Sequence, residues 1–143
     1  MEWGLDGLGA TAQVLIETPR FSVVKRRQDG SVDFVSPVPC PFNYGCILSL
    51  TSADGDALDA VVLGPRLARG HVLQLPVVGV VGFVDAGAAD PKVICSAQPP
   101  SEMALKQVAT FFQLYAVAKR ALSYSRGIHR PTHTEGLLVG WRR

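Results

Sequence analysis

From Gln13 to Ser96 the apolar residues come in short runs, QVLIE, FSVV, SVDFV, CILSL, LDAVVL, HVLQL, PVVGVVGFV and KVICS, separated by Gly, Pro, Asp and Ser. Runs of this length, rich in β-branched residues and punctuated by turn formers, predict a succession of strands, and hence a small barrel or sandwich. Between FSVVKRR and SVDFV lie Gln28, Asp29 and Gly30. An Asp-Gly pair between β-type runs is a hairpin signal, so the strands on either side are expected to pair. After Pro99 and Pro100 the period changes: Ala104, Val108, Phe111, Tyr115, Ala118 and Leu122 recur every three or four residues. That spacing is the apolar stripe of an amphipathic helix, with Ser101 as its N-cap and Gly127 beyond its end.

Composition adds limits. At 143 residues, 48% hydrophobic and 18% charged, the chain suits one globular domain over residues 1–143, and no repeat or long linker divides it. A net charge of +2 without a dense basic run gives no argument for a nucleic-acid partner. Glu2 and Asp6 stand where a signal peptide would carry Lys or Arg, and the longest apolar run, Pro76 to Val84, is far below membrane-spanning length. A cytoplasmic protein with no membrane partner is expected. Cys40, Cys46 and Cys95 are odd in number and form no CxxC pair, so structural thiols are expected in place of a disulfide framework or zinc site.

The acidic residues change the picture most. Glu17, Asp54, Asp56, Asp59, Asp85 and Asp90, six of the twelve, lie within or at the ends of apolar β-type runs. If the strands bring them together, like charges at short range require protons or cations between them, and hard cations such as Mg²⁺ prefer oxygen ligands. The densest segment is Asp54-Gly55-Asp56-Ala57-Leu58-Asp59, running into AVVL. Asp54 and Asp56 share a face of an extended segment, and Gly55 permits a close turn. Taken alone, such a triplet is as readily a set of solvated turn aspartates. It is a poor EF-hand, lacking the third acidic position followed by Gly and the distant Glu. His129 and His133 are four apart, but Pro131 between them forbids the regular helix that would pair them as ligands.

The stretch SPVPCPFNYGCILSLTSADGDALDAVVLG, residues 36–64, closely resembles the core of family I soluble inorganic pyrophosphatases, in which a PFNYG-like segment precedes a DGDPLD-like signature. The resemblance extends upstream through IETPRFSVVK and downstream through LQLPVVGVVGFVDAGAADPK and FFQLY, covering about residues 13–118. It implies a mainly β fold with flanking α, an OB-like five-stranded β-barrel, and hydrolysis of pyrophosphate with Mg²⁺, Mn²⁺ being a possible substitute. By the same resemblance Asp54, Asp59, Asp85 and Asp90 would hold metal, with Glu17 beside them or acting through water. Asp56 would be the general base, and Tyr44, Lys25, Lys92 and Tyr115 would contact phosphate. A homo-oligomer is expected, with pyrophosphate as the small-molecule partner. Read without the resemblance, Lys25 and Lys92 are solvated strand-end lysines, Tyr44 sits in a turn, and Tyr115 packs in the core.

Three positions depart from the family pattern. Arg26 and Arg27 follow Lys25 in place of an aromatic residue and Glu, Asp33-Phe34 replaces Asp-Arg, and Ala116 replaces the Lys expected after Tyr115. Two phosphate-binding cations and one carboxylate are therefore missing, with Arg27, Lys119 or Arg120 as candidate replacements. A divergent paralogue, weakly active or acting on another phosphorylated ligand, is the alternative. Near the C-terminus LLVGWRR echoes the family's closing strand, and residues 123–135 read as a rearranged loop.

Overall fold

The computed structural model describes the backbone of residues 2–22, 24–26, 29, 31–35, 39–51, 55–127 and 130–139, and the side chains of these apart from 24–26, 33–35 and 51. In chain order the elements are β1 (Thr11–Thr18), β2 (Val24–Arg26), β3 (Val32–Val35), β4 (Asn43–Thr51), β5 (Ala57–Val62), β6 (Val72–Asp85), β7 (Ala88–Ala89), β8 (Lys92–Cys95), α1 (Glu102–Ser125) and β9 (His133–Leu137). β1 pairs with β4, β4 with β5, β5 with β8, β8 with β6, and β6 returns to β1. The ring is the expected five-stranded barrel, antiparallel throughout except at β5–β8. β2 and β3 form the expected hairpin pair beside it.

β6 makes closure possible. The break expected between HVLQL and PVVGVVGFV does not occur, and the two runs form one strand of 14 residues. Its first part, Val72 to Pro76, pairs with β1, and Val77 to Val81 pairs with β8. Pro76 stands at the changeover, its carbonyl accepting from the Ser96 N–H. A proline is tolerated there, where the ladder passes from one partner to another.

Side chains alternate along these strands and build two cores. Val14 and Ile16 of β1, Ile47 of β4, Leu58, Ala60 and Val62 of β5, Val77 of β6 and Val93 of β8 fill the barrel. Tyr44, Val61, Val81, Phe83 and Ile94 point the other way, against Val108, Phe112 and Ala116 of α1. The helix begins as expected, with Ser101 Oγ accepting from the Ala104 N–H at 3.1 Å. Its buried line, Val108, Phe112 and Ala116, is rotated from the expected stripe, and Phe111 and Tyr115 are only partly covered. The rotation follows from Phe112, which inserts between Phe42 and Phe83 with ring centroids 6.0 and 5.9 Å away.

The C-terminal region differs from expectation as well. α1 continues to Ser125, and β9 begins at His133 and pairs with β6, so the closing strand lies upstream of most of LLVGWRR and shortens the expected loop. Among the described residues no helix is long and apolar enough to cross a membrane.

Gly45 is the tightest point of the barrel wall. A Cβ there would lie 1.9 Å from the Leu15 carbonyl oxygen, where β1 bulges between Ile16 and Thr18 as it passes β4. The obstacle is backbone, which cannot swing aside as a side chain can. Gly45→Ala is therefore expected to lower the unfolding free energy by about 3 kcal/mol or to prevent folding, as read by urea titration of the purified variant.

Candidate functional site

The alternation that fills the barrel also decides where the acidic residues go. Asp59 shares the phase of Val61, Lys92 that of Ile94, and Asp85 that of Val81 and Phe83, so all three project from the wall covered by α1. In the β5–β8 register Asp59 lies opposite Lys92. Lys92 is buried, and its ammonium donates to Asp59 Oδ2 at 2.5 Å and to Asp90 Oδ2 at 2.8 Å. The Tyr44 hydroxyl donates to the same Asp59 oxygen at 2.9 Å. Phe83 and Tyr44 present their rings 5.3 and 5.8 Å from the Lys92 nitrogen. Thus Lys92 is a buried ion-pair partner, and Tyr44 belongs to a strand and not to a turn.

Burial and the Asp59 charge push the Tyr44 phenol well above its ordinary value, with smaller contributions from Tyr115, Asp90 and the hydrogen bond to Asp59. The hydroxyl therefore remains a proton donor across the physiological range. Two residues along β4, on the same face, Cys46 lies opposite Asp59. Its thiol is pushed up to about 12 by burial first, then by the charges of Glu17 and Asp59 and a hydrogen bond to Glu17. Cys46 thereby connects Glu17, at the end of β1, to the Asp59 cluster. Its position two residues after Tyr44 in an alternating strand was the available signal.

Asp85 ends β6 at the edge of this wall. Lys119 Nζ lies 3.3 Å from its Oδ2 and Thr132 Oγ1 lies 3.5 Å from its Oδ1. Thr132 also accepts from the Ala86 N–H at 2.9 Å, tying the strand end to the segment before β9. Arg120, the other candidate cation on this turn of α1, donates to the Thr132 carbonyl instead. No sequence signal pointed to Thr132, 47 positions from Asp85. Tyr115 packs against Phe83 with tilted rings 5.5 Å apart and lies beneath the Lys119 ammonium, so it packs and borders the site at once.

Asp56 is exposed just before β5, after Gly55, whose φ of +87° explains the glycine by its backbone conformation. Lys25 lies on β2 opposite Phe34, its side chain beyond what is described, and Asp54, Arg27 and His129 lie outside the described residues. His133 is in β9, 3.8 Å from Glu135. Among the described residues no three His, Cys, Asp or Glu side chains gather as a metal-binding group. The donor chemistry nevertheless suits a hard divalent cation, being all carboxylate oxygen at Asp59, Asp85, Asp90 and Glu17. A cation, the ammonium of Lys92, already bridges two of them.

Comparison with known proteins bears on the family and the fold. The family model described as inorganic pyrophosphatase matches residues 14–137. The inorganic pyrophosphatase of Gluconobacter oxydans is 30% identical over 119 residues, covering 78% of this chain and 69% of that protein. That of Haemophilus influenzae is 43% identical over 56 residues, covering 38% of this chain and 32% of that protein. Among solved structures, the inorganic pyrophosphatase of Thermus thermophilus superposes with a TM-score of 0.72 at 25% identity, over 96% of this chain and 86% of that one.

Two outcomes follow from the cluster. Lys92→Met leaves Asp59 and Asp90 without their shared cation and is expected to cost about 3 kcal/mol or more of stability, measured by denaturant titration. Because the Tyr44 pKa is raised on folding, its stabilisation is complete below about pH 10 and is lost as pH rises toward the folded value. Above pH 10 stability should fall by up to about 1.4 kcal/mol per pH unit through this residue, and Tyr44→Phe should remove that component in urea titrations at pH 9 and 11.

Proposed function

The chain belongs to the inorganic pyrophosphatase family, and from that membership we propose that it hydrolyses inorganic pyrophosphate to two phosphates with magnesium as its cofactor. The observation that carries the proposal is the Tyr44–Asp59–Lys92–Asp90 cluster, a paired carboxylate site lined with donors on the outer wall of the barrel.

Asp54, Asp59, Asp85 and Asp90, with Glu17 beside them, would hold the metal. Bound there, magnesium or manganese supplies charge neutralisation for a polyanion and lowers the pKa of water. Asp56, exposed at the head of β5, would take the proton of the attacking water. The new bond forms between water oxygen and phosphorus as the bond to the bridging oxygen breaks, and the second phosphate departs with that oxygen. Tyr44, kept neutral by burial, would remain a donor toward Asp59 or a phosphate oxygen. Lys92, Lys25 and Tyr115 would contact the phosphates.

A second reading, a weakly active relative or one acting on another phosphorylated ligand, is favoured by Ala116, which is packed into the helix–barrel core and offers no cation. We also read the protein as cytoplasmic, with its three thiols buried, and as a homo-oligomer. For the latter, Leu114, Val117 and Tyr124 on the exposed side of α1 provide apolar surface for a second copy.

Phosphate release from pyrophosphate in magnesium is the expected result, with Asp56→Asn reducing kcat at least a hundredfold (on the order of 3 kcal/mol of barrier). Release only from nucleotides or another organic phosphate would favour the second reading, and an Asp56→Asn variant as active as the native chain would remove the assigned base.

A further inference from the structure

The structure places two lysine ammoniums on this set of carboxylates, and their circumstances differ. Lys92 is 1% exposed and answers both Asp59 and Asp90. Moving its ammonium off these two part-buried carboxylates would break a largely desolvated ion pair, a change that destabilises strongly. Its one positive charge already answers two carboxylates. Lys92 therefore contributes little attraction for an incoming polyanion.

Lys119 is 21% exposed and lies 3.3 Å from one oxygen of Asp85, itself 31% exposed. A pair partly open to water at 3.3 Å is weaker than the desolvated one at Lys92, so it is the more readily exchanged of the two. Four residues after Tyr115, Lys119 occupies the same side of α1, with its nitrogen 5.7 Å from the tyrosine ring. Its flexible stem carries three donors that can be redirected without unpacking the helix. Arg120, engaged with the Thr132 carbonyl, faces the β9 side.

We propose that Lys119 is a substrate-binding residue: its ammonium rests on Asp85 in the substrate-free protein and transfers to a phosphate oxygen of bound pyrophosphate, releasing Asp85. This rests on the pyrophosphatase reading. The exchange trades a partly exposed pair with one carboxylate for a charge-assisted bond to a more highly charged acceptor.

The test uses the full chain, with phosphate release from magnesium pyrophosphate and calorimetric binding of the non-hydrolysable analogue imidodiphosphate in magnesium. Lys119→Ala is expected to weaken imidodiphosphate binding and raise KM about tenfold, with a smaller fall in kcat and little change in thermal midpoint. Lys119→Gln should behave alike, Lys119→Arg should recover most of the affinity, and Lys106→Ala, exposed on the same helix, should match the native chain. If the native chain hydrolyses pyrophosphate and Lys119→Ala retains its KM and analogue affinity, this inference is overturned and the activity stands. If the native chain neither binds the analogue nor releases phosphate, both are overturned.

Discussion

An ammonium withdrawn from water has to be answered by acceptors close at hand, and at the seam of β5 and β8 Lys92 is answered by Asp59 and Asp90. The β5–β8 register puts Asp59 opposite Lys92, and the turn after β6 brings Asp90 to the same nitrogen, with the Asp90 N–H bonded to the Phe83 carbonyl. Tyr44 completes the set from β4. Because each charge is a condition for burying the others, the group acts as a unit. Three strands are held in one register by the same requirement that makes the site acidic.

The barrel separates two tasks by the alternation of its strands. One phase, from Val14 to Val93, is aliphatic and fills the interior. The other carries the ionisable groups at one end and the aromatic rings that receive α1 at the other. The helix therefore covers a wall that is apolar where Phe112 inserts and polar where Lys119 reaches Asp85. Chemistry on the outside of a filled barrel leaves the interior free to be packed for stability alone.

Much of this was readable from residues. Local signals sufficed for the pairing of β2 with β3 and for the Ser101 cap, because each depends on neighbours in sequence. The barrel type and the choice of carboxylates came from the resemblance over residues 13–118, whose spacings encode contacts between strands far apart in the chain. Other features had no local expression. Pro76 suggests a break, yet β6 runs through it because its partners change at that point. Lys92 by its type suggests solvent, and the opposing Asp59 and Asp90 make its burial tolerable. Phe112 and Ala116 face the barrel because of where Phe42 and Phe83 sit, which periodicity within the helix cannot reveal. Thr132 reaches Asp85 through the return of β9 along β6, a connection set by tertiary pairing. Lys119 was one of three candidate cations in the sequence, and the turn of α1 brought it to Asp85.

The unbroken course of β6 carries one more implication. Its early residues seal the ring against β1 while its last residue is Asp85. Removing or adding one residue between Val81 and Asp85 would reverse the facing of everything beyond the change, turning an acid inward or an aromatic ring outward. Length variation in such a chain is confined to its loops, and the span from Pro76 to Asp85 works as a ruler that fixes how far the acidic edge stands from the point of ring closure.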